Sequence, residues 1–215
     1  MFDLIKIVVL VSGDGSNLQA LIDATVSGRI RAQIVGVISN VPSAYALERA
    51  RLAGIPTQVV DHRQFADRAG FEAEVSNVIQ EWKAELILLA GFMRVLTPAF
   101  VNRYSGQMIN IHPSLLPAYR GLNTHARVLA TGDRMHGCSI HFVTSDLDAG
   151  AVIAQAITNV LPTDDLPTLT QKVRKLEHHI YPLVVSWIAV GRIALLGNKV
   201  YLDGQELTNP VSLYL

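Results

Sequence analysis

Short apolar runs alternate with amphipathic stretches along the first half of the chain. Residues 5–11 are β-branched and nearly all apolar, which is typical of a strand buried on both faces of a parallel sheet, and residues 33–39 predict a second buried strand. Between them, residues 18–22 place apolar side chains at helical spacing. The remaining predicted elements of this half are strands over 57–60, 86–90 and 108–111 and helices over 44–53, 71–82 and 98–104. Strands that alternate with helices predict an α/β protein with a doubly wound, mostly parallel sheet.

The pattern changes after about residue 135. Residues 139–143 and 152–160 have strand character with no long helix between them, so we expect an antiparallel extension of the sheet. A long helix is predicted over 166–190, because apolar residues recur on one helical face. The last predicted elements are two antiparallel C-terminal strands, 193–196 and 199–202, joined as a hairpin.

Composition and charge narrow the class of protein. The 215 residues contain 18 Lys or Arg and 18 Asp or Glu, so the net charge is zero, without the basic excess of a nucleic-acid-binding protein. The single cysteine, Cys138, excludes a disulfide framework within the chain and a cysteine-rich zinc site. No apolar run approaches the roughly 18 residues of a membrane span, and the first residues lack the pattern of a signal peptide. We therefore expect a cytoplasmic protein that binds neither nucleic acid nor membranes.

A glycine-containing segment, Ser12 to Asn17, joins the first predicted strand to the first predicted helix. A helix N-terminus at the carboxyl edge of a parallel sheet offers N–H groups and a positive dipole end, which suit a phosphate. The third glycine of the dinucleotide fingerprint is missing, and Ser39 and Asn40 stand where an acidic residue would end the second strand. We therefore favour a monophosphate over a dinucleotide. The alternative is a tight turn with a polar helix cap.

The residues best suited to catalysis lie at the end of the fifth predicted strand and directly after it. Asn110 and His112 are two residues apart, so both side chains leave the same face at the carboxyl edge of the sheet. An amide can donate to an oxygen that gains negative charge, and a histidine can protonate near neutral pH. A carboxylate beside an imidazole raises its pKa, and either Asp146 or Asp148 could take that place. The alternative for His112 is a loop histidine bonded to nearby backbone.

Six segments together resemble the folate-dependent formyltransferase family, and the resemblance covers nearly the whole chain. They occur in the family's order: SGDGSN at 12–17, AGFMRVL at 90–96, NIHPSLLP at 110–117, HGCSIHFV at 136–143, DAGAVI at 148–153 and EHHIYP at 177–182. The resemblance implies a Rossmann-like formyltransferase fold over 1–215 as a single domain. It also implies an N-terminal phosphate-binding half over about 1–105 and a C-terminal folate and catalytic half over about 106–215.

The resemblance also implies an activity. In the members that this chain resembles, the formyl group passes from 10-formyltetrahydrofolate to the amine of glycinamide ribonucleotide in purine biosynthesis, with no metal. Asn110 would then bond the formyl oxygen, and His112 would be the protonated acid that helps move the proton. Asp148, rather than Asp146, would be the carboxylate beside His112. Asp148, Asn110 and His112 are thus the expected catalytic residues.

Binding roles are implied in the same way. Gly15, Ser16 and Asn17 would hold the substrate phosphate, and Glu177 would accept from the ribose hydroxyls. The cosubstrate would lie on the segment Met93, Arg94, Val95 and Leu96 and on Asn110, with Arg68 serving either the phosphate or the folate. Arg174, one turn before Glu177, could add charge near the phosphate. Asp14 departs from the family, because an acid beside a phosphate weakens binding unless its side chain points away.

Three other functions compete with this one. A 10-formyltetrahydrofolate hydrolase shares the Asn, His and Asp but usually carries an extra N-terminal domain. A methionyl-tRNA formyltransferase would need about a hundred further residues and a basic surface. A non-catalytic nucleotide-binding module would leave the catalytic trio unexplained. His125, His178 and His179 match no zinc spacing, so we expect structural roles for them, and His141 should support the site. We expect a monomer or a homodimer.

Overall fold

The computed structural model describes residues 4–214. The chain divides into two compact units, of which the first ends at Ile109 and the second begins at Asn110. The boundary falls within strand β5, Met108–His112. The prediction of one domain over 1–215 stays a prediction.

The first unit is an α/β unit with a parallel sheet. Strand β1 pairs in parallel with both β2 and β4, β2 pairs in parallel with β3, and β5 follows β4 in the strand order. A short 3-10 helix over His62–Gln64 follows β3. The elements are β1 (Ile5–Val11), α1 (Ser16–Val26), β2 (Ala32–Ser39), α2 (Tyr45–Leu52), β3 (Thr57–Val59), α3 (Arg68–Glu81), β4 (Leu86–Leu89) and α4 (Pro98–Arg103). The alternation of strands and helices that the sequence predicts is confirmed.

Buried strands form the core of this unit. Val8 to Val11 of β1 are fully buried, as expected for a strand covered on both faces of the sheet. Gly36 in β2 makes room for an aromatic ring, because a Cβ atom there would lie 2.1 Å from the indole of Trp82. The β1–β2 register shifts between Ile7 and Val8, beside this glycine. Trp82 therefore packs against the backbone of β2 and is half-buried.

The second unit changes from parallel to antiparallel pairing. Strand β6 pairs antiparallel with β7, β11 pairs in parallel with β7, and β8, β9 and β10 form a separate antiparallel sheet. The elements are α5 (Thr124–Thr131), β6 (Met135–Phe142), β7 (Val152–Asn159), α6 (Leu166–Ala189), β8 (Ile193–Leu196), β9 (Lys199–Leu202), β10 (Gln205–Glu206) and β11 (Val211–Tyr214). The predicted antiparallel extension and hairpin are confirmed, whereas α5, β10 and β11 had no counterpart in the prediction.

Helix α6 supports the sheet of the second unit. Its N-terminus has a capping box, in which the Asp165 carboxylate accepts from the Thr168 N–H and the Thr168 hydroxyl accepts from the Asp165 N–H. The predicted apolar face is buried at Leu169, Val173, Leu176, Ile180 and Val184. Within residues 4–214, no helix combines the length and the apolar character that crossing a membrane requires.

Candidate active site

The end of β5 places Asn110 and His112 on one face, as predicted. The ring of His112 is buried, and its two nitrogens face oxygen atoms from different loops. Nε2 is 2.9 Å from the carbonyl oxygen of Tyr119, and Nδ1 is 3.4 Å from Oδ2 of Asp148. Because a doubly protonated ring donates at both nitrogens, this arrangement can satisfy the protonated form of His112.

Asp148 lies in the loop between β6 and β7, with its carboxylate turned inward. Its Oδ2 accepts from the backbone N–H of Gly121 at 2.9 Å, and its backbone is left-handed with φ of 49°. Gly150 permits the close turn, because a Cβ atom there would lie 1.8 Å from the carbonyl oxygen of Phe142. Of the two candidate aspartates, Asp148 is therefore the one whose carboxylate meets His112.

Asn110 is paired with a second histidine. The Asn110 amide nitrogen Nδ2 is 3.2 Å from Nε2 of His141, and Nδ1 of His141 is 2.9 Å from the carbonyl oxygen of Phe142. Burial lowers the pKa of His141, because the protein interior disfavours the charged ring. The candidate site thus holds an amide, two imidazoles and one carboxylate.

Two side chains that the sequence did not single out hold the loop after β5. Ser139 and Gln155 face each other across β6 and β7. The Ser139 hydroxyl donates to the carbonyl of Ser114 at 2.6 Å and accepts from the N–H of Leu116 at 3.0 Å. The Gln155 amide donates to the carbonyl of Leu116 at 2.8 Å. Only the strand register reveals these roles, since neither residue stands out in the sequence.

Helix α6 contributes charges to the same unit. The charge of Glu177 adds to the burial that raises the pKa of the Cys138 thiol, and the charge of Arg174 adds to the burial that lowers the pKa of His125. A fully buried thiol with a raised pKa is a poor nucleophile, which agrees with a structural role for Cys138. His125 Nδ1 is 2.9 Å from His136 Nε2, and burial lowers the pKa of His136 to about 4.

The glycine segment of the first unit is clamped to α2. Gly15 is the N-cap of α1 with φ of 76°, and a Cβ atom there would lie 2.5 Å from the Cβ of Ala46. The Arg49 guanidinium donates to both carboxylate oxygens of Asp14, at 3.2 and 3.3 Å, and to its carbonyl oxygen at 2.8 Å. The Asp14 carboxylate is therefore bound to a cation beside the N-terminus of α1, which carries Ser16 and Asn17.

The segment from Met93 to Leu96 lies outside helices and strands and is anchored at both ends. The Met93 N–H donates to the Ser12 hydroxyl at 2.7 Å, and the Thr97 N–H donates to the buried carboxylate of Glu72 at 2.7 Å. Met93 and Val95 are exposed apolar side chains, whereas Leu96 is buried. The Nε atom of Arg94 is buried and has no hydrogen-bond partner among residues 4–214.

The structure thus groups the predicted site residues by unit. The second unit brings His112 and Asp148 into contact, links Asn110 to Asp148 through His141, and also holds Glu177. The first unit holds Gly15, Ser16, Asn17 and the segment over 93–96, together with Arg68, an exposed residue at the start of α3. No group of three or more His, Cys, Asp or Glu side chains within the described part of the chain is placed to hold a metal ion.

Known proteins resemble this chain in sequence and in overall structure. Residues 5–185 match the family described as formyl transferase. Phosphoribosylglycinamide formyltransferase of Escherichia coli strain K12 is 48% identical over 202 residues, which are 94% of this chain and 95% of that protein. A solved structure of phosphoribosylglycinamide formyltransferase from Coxiella burnetii has a TM-score of 0.95 at 50% identity, covering 98% of this chain and 100% of that chain. A formyltetrahydrofolate deformylase from Pseudomonas syringae has a TM-score of 0.86 at 26% identity, covering 93% of this chain and 66% of that chain.

Proposed function

The chain belongs to the formyl transferase family, and from that premise we propose that it transfers the formyl group of 10-formyltetrahydrofolate to the amine of glycinamide ribonucleotide. The products are formylglycinamide ribonucleotide and tetrahydrofolate, so the reaction is a step of purine biosynthesis. One observation carries the proposal: at the carboxyl end of β5, the Asp148 carboxylate lies beside the His112 ring and, through His141, near the Asn110 amide. The high identity to phosphoribosylglycinamide formyltransferases supports this choice of substrate.

The catalytic side chains match the demands of the reaction. The substrate amine forms a bond to the formyl carbon while the bond from that carbon to N10 of the folate breaks. The formyl oxygen gains negative charge during the attack, and the Asn110 amide donates to it. The amine loses a proton and N10 gains one, and His112 acts as the acid that helps this transfer. Asp148 holds the His112 ring in place through its contact with Nδ1.

The glycine segment is the proposed phosphate site. Gly15 is the left-handed N-cap of α1, so the first N–H groups of the helix, at Ser16 and Asn17, are available to bond a phosphate at its N-terminus. The Arg49 guanidinium neutralises the Asp14 carboxylate, so that Asp14 does not weaken phosphate binding. Glu177 is the proposed acceptor for the ribose hydroxyls.

The segment over 93–96 fits the folate. Because it lies outside helices and strands, its backbone groups can bond the edge of a pterin ring, and the exposed side chains of Met93 and Val95 can cover its faces. The buried Nε of Arg94 is a donor that a polar ligand atom can satisfy. Arg68 is exposed and lies one helical turn before Glu72, whose carboxylate anchors this segment, so we assign it to the folate.

A single assay tests the proposed reaction. The purified full chain is incubated with 10-formyltetrahydrofolate, with and without glycinamide ribonucleotide, and loss of the formyl-folate is followed. We expect turnover that requires the amine and yields formylglycinamide ribonucleotide. Formate release without the amine would overturn the transferase in favour of the hydrolase, and no turnover in either condition would favour a binding module. His179→Ala, which changes an exposed histidine of α6, is the control variant for His112→Ala.

The hydrolase has weaker support. The deformylase is 26% identical to this chain, which spans 66% of it, whereas the formyltransferases are 48 and 50% identical over nearly their full length. The expected cytoplasmic location, the absence of nucleic-acid partners and a metal, and a monomeric or homodimeric state stay predictions.

A further inference from the structure

His141 holds one defined tautomer. Its ring is 2% exposed, and Nδ1 lies 2.9 Å from the carbonyl oxygen of Phe142. A carbonyl oxygen only accepts, so Nδ1 carries a hydrogen and donates it. Burial lowers the pKa of His141, which favours the neutral ring. In the neutral ring, the hydrogen on Nδ1 leaves Nε2 with its lone pair.

The lone pair on Nε2 determines how the Asn110 amide is turned. Nε2 is 3.2 Å from Nδ2 of Asn110, and only the NH₂ group of the amide can donate to it. An amide nitrogen has two hydrogens, so one bonds to His141 and the second can donate to the formyl oxygen. The opposite rotation would present the amide oxygen to an oxygen that gains negative charge, which repels it.

Asp148 is the competing partner for His141. Its Oδ1 is 3.8 Å from Nε2, whereas its Oδ2 accepts from Gly121 and faces His112. If Nε2 carried the hydrogen, His141 would donate to Asp148 or to the Asn110 oxygen, and the amide would lose its productive orientation. The Phe142 carbonyl prevents this, because it keeps the hydrogen of the neutral ring on Nδ1.

We propose that His141 is a positioning residue that, as the neutral tautomer with its hydrogen on Nδ1, holds the Asn110 N–H toward the formyl oxygen. This inference rests on the proposed function, because Asn110 has that task only in formyl transfer. It divides the work between two neighbouring histidines: His112 faces Asp148 and handles the proton, while His141 orients the amide.

Two substitutions of His141 distinguish the loss of the hydrogen-bond acceptor Nε2 from the loss of the ring itself. In His141→Gln an amide oxygen can take the place of Nε2, whereas His141→Leu removes the acceptor. We expect His141→Leu to lower kcat about 10- to 100-fold, below the roughly 10²–10³-fold loss when an oxyanion donor is itself removed. KM for both substrates should stay within about twofold. His141→Gln should keep kcat within about fivefold of the wild type.

The partner of His141 provides a second kinetic test. In the Asn110→Ala background, His141→Leu should have no further effect on kcat, because the amide that it orients is gone. Equal losses in the Gln and Leu variants, or a full additional loss on top of Asn110→Ala, would overturn the proposal.

The tautomer is measured independently of activity by ¹⁵N NMR of the full chain labelled at histidine. The His141 signals are assigned by their loss in His141→Gln. We expect a protonated Nδ1 and an unprotonated Nε2 at neutral pH, and a hydrogen on Nε2 would overturn the proposal. A wild-type chain without amine-dependent turnover would instead refute the proposed function, while the tautomer result would still stand.

Discussion

Replacing Arg49 with methionine tests why the proposed phosphate site at the N-terminus of α1 tolerates Asp14. The Asp14 side chain is 60% exposed, so the ion pair itself contributes only about 0–1 kcal/mol to folding. Its effect on a bound phosphate is larger. Two residues of backbone, about 7 Å, separate Asp14 from Ser16. A unit charge and a dianion at that distance repel by about 1 kcal/mol in a water-like dielectric, which is about fivefold in affinity.

The assay is calorimetric titration of the folate-free protein with glycinamide ribonucleotide. We expect Arg49→Met to raise Kd about fivefold and to leave kcat within about twofold at saturating substrate. The double variant Asp14→Asn/Arg49→Met should return Kd to within about twofold of the wild type, because no charge is left unpaired. In about 1 M salt, where the Debye length is about 3 Å, the effect of Arg49→Met should largely disappear. If Arg49→Met raised Kd equally in the wild-type chain and in the Asp14→Asn chain, the neutralisation of Asp14 by Arg49 would be refuted, because Arg49 would then act on the phosphate independently of Asp14.

Three further predictions follow from the site and its supports. His112→Ala should lower kcat by at least about a hundredfold in the formyl-transfer assay, and near-intact activity would refute the assigned acid. The pKa of His136 falls to about 4 on folding from about 6.5 in the unfolded chain, so its neutral ring stabilises the fold above pH 6.5. The free energy of unfolding, measured with urea, should therefore fall by up to about 3 kcal/mol between pH 6.5 and pH 4. The same fall in His136→Gln would contradict this assignment. Gly15→Ala should destabilise by about 2–4 kcal/mol, through a left-handed alanine that overlaps Ala46, whereas the control Gly13→Ala meets no atom within 4 Å. Equal urea midpoints of unfolding for Gly15→Ala and Gly13→Ala would rule out the overlap with Ala46.

Local sequence patterns predicted most of the helices and strands. The final hairpin of β8 and β9 matches the predicted bounds, because short apolar runs flank a glycine turn. Helix α5 escaped prediction because it has only eight residues and its N-cap, Asn123, has a left-handed φ of 58°, which is atypical of that position. Strand β11 has four residues and pairs with β7, more than 50 residues earlier, so local sequence carries little sign of it.

Local sequence likewise predicts one part of the candidate site and not the other. The two-residue spacing of Asn110 and His112 placed both on one face from sequence alone, whereas the choice of Asp148 over Asp146 needed the family resemblance. The pairing of Asn110 with His141 depends on contacts between distant segments and on which ring nitrogen carries the hydrogen. The same holds for the ion pair of Arg49 with Asp14, which spans 35 residues. Side-chain partnerships of this kind leave no local pattern.

The indole of Trp82, which packs against Gly36, can serve as a fluorescent reporter of the first unit. The chain has two tryptophans, and they fall in different units: Trp82 packs on β2 in the first, and Trp187 lies in α6 of the second with the Arg192 guanidinium 5.8 Å from its ring. Replacing either one with phenylalanine leaves a fluorophore that reports on one unit alone. Emission recorded through a denaturant titration then shows whether the two halves melt together, which a single cooperative domain requires.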